Sequence, residues 1–383
     1  MSTVIRLPGP DGPREHLLRE PVSWPQPDGP PRSRIAFAAA HVVADPLRDD
    51  GCASIDWDNT LAFRRYLWSY GLGVAEAMDT AQRGMGLDWT AARELIRRSA
   101  AEAAALDARI AAGAGTDQLV ADPANLDDVV RAYVEQVECV QDARAQVVVM
   151  ASRQLARLAT SPADYRYVYD RVLAQASEPV VLHWLGPMFD PALTGYWGAS
   201  TLNAANEVFL ELVHDHARVI DGVKVSLLDA EHERALRSAL PEGVRIYTGD
   251  DFHYPELIKG DDTGGSDALL GVLAAIAPAA SRALHALDDG DLAGYDEVLG
   301  PTVPLARHLF SEPTYNYKAG IAFLAWLSGL QPGFTMIGGL QGARGLPHLV
   351  EAFRLADAAG VLVDPDVAVY RMNALLDVHG VNR

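Results

Sequence analysis

Lysine is almost absent from this chain, which has three lysines against 29 arginines. Cysteine is also scarce, and the two residues, Cys52 and Cys139, lie far apart in no spacing that suits a metal. A disulfide framework or a zinc site is therefore not expected, and a reducing cytoplasm is the predicted location. Long apolar runs are missing too, since the segment most like one, Ala319 to Leu330, is too short to span a membrane.

Basic residues are also few relative to acidic ones, with 32 lysines and arginines against 51 aspartates and glutamates. The formal net charge is −19 and the pI is about 4.9. Such an acidic protein is not expected to bind nucleic acid or an anionic membrane. The N-terminal segment, residues 1–32, is rich in proline and charge and lacks the apolar stretch of a signal peptide. We expect this segment to be an irregular extension.

From residue 33 to about residue 280, short β-type runs alternate with helical stretches such as Leu126–Arg144, and Ser161 with Asp164 approximates a helix-opening capping box. Eight such units in about 250 residues favour an α/β fold of the (β/α)8 TIM-barrel type over an open sheet. No glycine-rich nucleotide-binding loop follows an early strand. The predicted strands are Arg34–Ala40, Leu72–Met78, Arg109–Ala112, Gln146–Met150, Pro179–Trp184, Gly222–Leu227, Val244–Thr248 and Ala268–Leu273.

After the barrel, assigned to residues 33–280, the strand pattern stops. Helices are predicted near 280–300, 303–310, 316–329 and 347–359. We expect residues 281–383 to form a C-terminal helical region that packs on the barrel and has no active site of its own.

One of the three lysines, Lys224, lies inside the apolar run Val219–Leu228. Strand alternation places Gly222, Lys224 and Ser226 on the face that looks into the barrel. Burial of an ammonium is costly and favours loss of its proton, and an unprotonated amine is what Schiff-base formation with a carbonyl compound needs. The alternative is a lysine whose amine reaches solvent from a strand end. Because a barrel carries its active site at the carboxyl ends of the strands, we favour the catalytic interpretation.

Four segments carry a resemblance to a known family: Gly222–Ser226, Tyr247–Asp251, Ile55–Val74 and Leu309–Gly320. They are similar, in that order, to the Gly-hydrophobic-Lys sixth strand, the Ser-Gly-Asp-Asp turn after the seventh strand, the opening strand–helix–strand unit and the C-terminal helices of the dihydrodipicolinate synthase / N-acetylneuraminate lyase family of class I aldolases. The resemblance spans about residues 34–360. It implies a TIM barrel, a Schiff base on Lys224, a small-molecule carbonyl substrate, no cofactor, and a homo-oligomer, either a dimer or a tetramer.

The residues that would contact the substrate depart from the family pattern. The family has Gly-Thr-Thr-Gly-Glu after its second strand, and the threonine pair binds the carboxylate of a 2-oxo acid. The matching stretch here, Met78–Gln82, keeps Thr80 but replaces the other threonine with Asp79, which would repel a carboxylate if ionised. His183 stands where the family has a proton-relaying tyrosine. The resemblance therefore implies a divergent branch that acts on a 2-oxo acid or a keto-sugar derivative.

We predict three catalytic residues, in which Lys224 attacks the carbonyl carbon while His183 and Thr80 move protons. The reaction would cleave or form a carbon–carbon bond or eliminate water, which makes the protein a lyase. The predicted substrate-binding residues are Asp79, Ser226, Gly249, Asp250, His41 and Arg153. Of the adjacent acids Asp250 and Asp251, one is expected to contact substrate and the other to cap a helix. Arg153 would pair with an anionic group, and Lys318 is expected to be structural.

Two other functions stay open at this point. The first is a metal-dependent barrel isomerase or lyase, because His41, Asp79, His183, Asp250 and His253 offer nitrogen and oxygen ligands for a divalent ion. The second is a non-catalytic sugar-binding barrel that kept the fold without the chemistry. A bound metal would indicate the first, and ligand binding without an adduct trapped by borohydride would indicate the second.

Overall fold

The computed structural model of the chain describes residues 3–9, 12–48, 55–119 and 124–381, so Cys52 lies outside the described residues. Its strands are β1 (Val4–Leu7), β2 (Arg14–Leu17), β3 (Ala36–Ala39), β4 (Gly73–Glu76), β5 (Ile110–Ala114), β6 (Gln146–Val149), β7 (Val180–Leu185), β8 (Ile220–Ser226), β9 (Arg245–Thr248) and β10 (Asp267–Leu270). Eight of them, β3 to β10, close into a parallel barrel in the order β10-β3-β4-β5-β6-β7-β8-β9. Each predicted strand overlaps one of these eight, and the TIM-barrel prediction is confirmed.

Helices follow the barrel strands as crossovers. They are α1 (Trp57–Ser69), α2 (Trp89–Leu106), α3 (Leu126–Asp142), α4 (Arg153–Leu158), α5 (Pro162–Leu173), α6 (Leu202–Asp215), α7 (Ala230–Ala239), α8 (Tyr254–Lys259) and α9 (Ala277–Asp288). The capping box predicted from Ser161 and Asp164 opens α5, where each residue satisfies the other's backbone amide.

The N-terminal segment was expected to be irregular, and this is corrected, because β1 and β2 pair as an antiparallel hairpin. Ile5 and Leu7 are buried, and the hairpin is tied to the C-terminal helices by a hydrogen bond of 2.7 Å from Thr3 Oγ1 to Asp366 Oδ1. A lone two-stranded hairpin is marginal in water, so these tertiary contacts stabilise it. β1 and β2 have four residues each and are flanked by prolines and glycines, so their sequence pattern is too short to predict them as strands.

The C-terminal region is helical, as expected, with α10 (Leu292–Leu299), α11 (Val303–Leu309), α12 (Tyr317–Leu327), α13 (Leu346–Ala358) and a further helix, α14 (Pro365–Val378). The apolar run that most resembled a membrane span is largely α12, whose residues are almost all buried in the core. Within the described part of the chain, no helix is long and apolar enough to cross a membrane.

The C-terminal region also closes over the barrel. The side chain of Gln82, just after β4, donates to the backbone oxygen of Ile337 at 2.9 Å and accepts from its backbone nitrogen at 3.2 Å. His41, just after β3, pairs with Gln331 at 2.6 Å. These buried contacts hold α12 and the turn after it against the carboxyl ends of β3 and β4, the end of a barrel where active sites form.

Candidate active site

Lys224 lies on β8, the sixth strand of the barrel, and looks into its interior. It is in register with His183 on β7 and with Tyr247 on β9. Tyr247 belongs to the cluster of side chains that fills the barrel, whereas Val223 and Val225 pack in the larger cluster around it. Lys224 is only 9% exposed. Its amine is therefore held inside the barrel and does not extend into solvent.

Two glycines make room for this arrangement. A Cβ on Gly222 would lie 2.7 Å from the ring of Tyr247. A Cβ on Gly249, the residue after β9, would lie 2.1 Å from Ser226 Oγ and 3.0 Å from Lys224 Cε. Real Cβ atoms do not approach other atoms so closely. The absence of a side chain at Gly249 therefore leaves the space that the side chains of Lys224 and Ser226 occupy.

Burial lowers the pKa of Lys224 to about 8, against the opposing charges of Asp251 and Asp79, which favour the ammonium. Burial likewise raises the pKa of Asp251 to about 8, opposed by a hydrogen bond of 2.9 Å that its Oδ1 accepts from the backbone nitrogen of Val272. Of the two acids after β9, Asp251 is thus the one whose charge acts on Lys224. A larger fraction of the Lys224 amine is therefore unprotonated near neutrality than at an ordinary lysine.

His183 is buried beside the lysine, and its Nε2 lies 3.1 Å from Ser226 Oγ. Its Nδ1 is buried and has no hydrogen-bond partner among the described residues. Burial, and then the charge of Lys224, hold the pKa of His183 well below its usual range. The imidazole is therefore neutral at pH 7, with one nitrogen free for a ligand.

Thr80 and Asp79 follow β4 and meet the first turn of α12. Thr80 Oγ1 lies 2.6 Å from the hydroxyl of Tyr317, and Lys318 Nζ donates to Asp79 Oδ1 at 3.0 Å. The second oxygen, Asp79 Oδ2, is buried without a partner in the described structure. Burial raises the pKa of Tyr317 well above its usual range, so its hydroxyl stays protonated.

Sequence reasoning left Tyr317 out of the site and took Lys318 as structural. Lys318 is fully buried and, like Lys224, is one of only three lysines in the chain. The scarcity that drew attention to Lys224 was therefore a usable signal for Lys318 as well.

Three of the residues predicted to contact the substrate, Asp250, Arg153 and His41, are bound to other residues of the protein. Asp250 Oδ1 accepts from the backbone nitrogens of Phe252 and His253, and its Oδ2 lies 2.9 Å from His253 Nδ1, so Asp250 caps its own turn. Arg153 forms an ion pair with Asp190 and is partly exposed.

His41 is bound to Gln331, and burial lowers its pKa to about 4. The structure thus brings Lys224, His183, Ser226 and Gly249 together on neighbouring strands and places Asp79 and Thr80 beside α12.

The metal interpretation finds no support in this geometry. Among the described residues, no group of three or more histidine, cysteine, aspartate or glutamate side chains is placed to hold a metal ion. The candidate metal ligands are instead hydrogen-bonded to other residues. His41 pairs with Gln331, Asp79 with Lys318 and His183 with Ser226.

Comparison with known proteins gives a family and a fold. The model of a family described as "Protein of unknown function (DUF993)" matches residues 5–381. No curated protein matches the chain.

Among solved structures, a putative dihydrodipicolinate synthetase from Pseudomonas aeruginosa is 17% identical, with a TM-score of 0.65 over 85% of this chain and 99% of its own. A dihydrodipicolinate synthase from Acinetobacter baumannii, complexed with pyruvate, is 17% identical, with a TM-score of 0.64 over 86% and 100%. A prophage protein of the dihydrodipicolinic acid synthase family from E. coli K12, also in complex with pyruvate, is 18% identical, with a TM-score of 0.63 over 85% and 98%. The resemblance noted in the sequence is confirmed as a shared fold.

Proposed function

This chain belongs to the DUF993 family of proteins of unknown function, and we propose that it is a lyase of the Schiff-base aldolase type. Its substrate is a small carbonyl compound, and the imine forms on Lys224. The observation that carries the proposal is the position of Lys224, a buried, inward-facing amine with a pKa lowered to about 8, on the sixth strand of a barrel. Arginine, the cation this chain uses nearly everywhere else, cannot lose its proton and so cannot serve as the nucleophile.

The neighbours of Lys224 suit the steps that follow. The neutral amine adds to the carbonyl carbon, the resulting carbinolamine loses water, and the protonated imine then draws electrons from an adjacent bond. Breaking a carbon–carbon or carbon–hydrogen bond at that position gives an enamine and releases a carbonyl fragment or a proton. The neutral imidazole of His183 offers its free Nδ1 as the acceptor for this proton, and the hydroxyl pair of Thr80 and Tyr317, which stays protonated, can donate a hydrogen bond to the departing oxygen.

Borohydride reduction tests the proposal directly, because it converts the imine to a stable secondary amine. The protein would be incubated with a panel of 2-oxo acids and keto-sugars, reduced, digested and mapped by mass spectrometry. With three lysines in the chain, the modified residue is identified without ambiguity. We expect the added mass on Lys224 alone.

Two variants complete the test. Lys224→Ala should form no adduct and lose turnover while remaining folded, and Lys259→Ala, at an exposed lysine paired with Asp296, should behave as the wild type. Full turnover by Lys224→Ala on a substrate of the wild-type protein would rule out the imine mechanism. The homo-oligomer, the domain boundaries and the cytoplasmic location named above stay predictions.

A further inference from the structure

Asp79, whose charge acts on Lys224, has one oxygen bound to Lys318 and a second oxygen without a hydrogen bond in the described structure. Asp79 Oδ1 accepts from Lys318 Nζ at 3.0 Å, and this salt bridge joins the carboxylate to a fully buried lysine. Asp79 Oδ2 is buried and makes no hydrogen bond of normal geometry in the described structure, although the nearby hydroxyl of Tyr317 interacts with the same carboxylate. Buried polar atoms are nearly always hydrogen-bonded, and an ionised carboxylate only accepts hydrogen bonds. A ligand that satisfies Oδ2 must therefore bring a donor.

Two arginines near this end of the barrel are already committed to partners of their own. Arg64 binds Glu76 through two hydrogen bonds of 2.8 Å, and both side chains are fully buried. Arg83 binds Asp117 through two hydrogen bonds of 2.7 Å.

Arg153 is paired with Asp190. Arg64 and Arg83 thus already use the bidentate contact with which arginine holds a carboxylate or a phosphate, whereas Arg153 contacts Asp190 through Nε and is partly exposed. Of the two site lysines, Lys318 is bound to Asp79 and Lys224 becomes the imine itself.

We propose that the substrate of Lys224 is an uncharged hydroxy carbonyl compound, such as a ketose or a deoxyketose, which donates a hydroxyl hydrogen bond to Asp79 Oδ2. The inference rests on the proposed imine function and adds the substrate class to it. A carboxylate next to the carbonyl group would be brought against the salt-bridged carboxylate of Asp79, and the bidentate faces of Arg64 and Arg83 are already occupied. A hydroxyl group meets an acceptor at Asp79 and a second free polar atom at His183 Nδ1.

Hydroxyacetone and pyruvate are matched probes for this inference. Both are three-carbon methyl ketones, and they differ only in a hydroxymethyl group against a carboxylate. The rate of cyanoborohydride-trapped adduct on Lys224 would be measured with each probe, and the ratio of the two rates taken for each protein. Comparing this ratio between proteins cancels the different intrinsic reactivities of the two ketones.

Asp79→Asn keeps the shape of the side chain and removes its charge. We expect the rate ratio of hydroxyacetone to pyruvate to fall about tenfold or more relative to wild type, which corresponds to about 1.4 kcal/mol. Asp296→Asn is the matched control, because it makes the same change in an exposed lysine–aspartate pair, with Lys259 at 2.8 Å, and should leave the ratio unchanged.

Asp79→Asn leaves Lys318 buried without its counter-ion, so the double variant Asp79→Asn/Lys318→Met serves as a second test that removes both charges. The same fall in the ratio is expected there. An unchanged ratio in the folded variants would overturn the inference and leave the imine proposal standing. If neither probe nor any compound of the wider panel gave an adduct on Lys224, the imine proposal itself would be overturned.

Discussion

The lowered pKa of Lys224 makes a prediction about the pH dependence of imine formation. Only the free amine attacks a carbonyl group, so the trapping rate should rise as pH increases through the pKa and level off above it. With a pKa of about 8, about a tenth of the amine is free at pH 7. A lysine at the ordinary value of 10.5 would have about 3 in 10 000 free at the same pH, so burial increases the reactive fraction about 300-fold.

The assay is the initial rate of cyanoborohydride-trapped adduct on Lys224, measured between about pH 6 and about pH 10. We expect a midpoint near 8 for the wild type. Asp251→Asn should move the midpoint to lower pH, because the carboxylate that favours the ammonium is gone while the side-chain oxygen still accepts from Val272. A wild-type midpoint near 10.5, or an upward shift in the variant, would refute the reasoning that burial sets the reactivity of Lys224.

Two further predictions concern packing and charge around the site. Gly249→Ala should lower the free energy of unfolding by about 1–3 kcal/mol, because the new Cβ would overlap Ser226 Oγ. The same variant should trap adduct at least about tenfold more slowly. Gly300→Ala, where a Cβ meets nothing within 4 Å, is the control and should match the wild type in both measurements. Arg64→Met should cost about 3–5 kcal/mol in urea unfolding because Glu76 is left buried and unpaired, and adding Glu76→Leu should restore most of it. A loss below about 1 kcal/mol would contradict the second prediction.

The barrel was predictable from the sequence because its signals are local. Every barrel strand is a short apolar run bounded by turn residues, and the face on which Lys224 lies follows from the alternation of side chains along β8. The hairpin of β1 and β2 was not predictable, because its strands are short and are stabilised by distant contacts with α14. For α14 a signal existed, with Asp364 as N-cap, Pro365 in the first turn and a buried face at Ala368, Met372 and Leu376.

The part of the site that is proposed to contact substrate could not be predicted from strand patterns alone, because it is assembled across the chain. Thr80 and Tyr317 are 237 positions apart, and Asp79 and Lys318 are 239 positions apart. From the segment after β4 alone, Asp79 is predicted to be a substrate-binding acid that would repel a carboxylate if ionised. Lys318 changes that role, because it holds one oxygen and leaves the other buried and in need of a donor. We thus propose that the chemistry of the protein depends on Lys224 in β8, and that its choice of substrate depends on the salt bridge by which Lys318 of α12 holds Asp79.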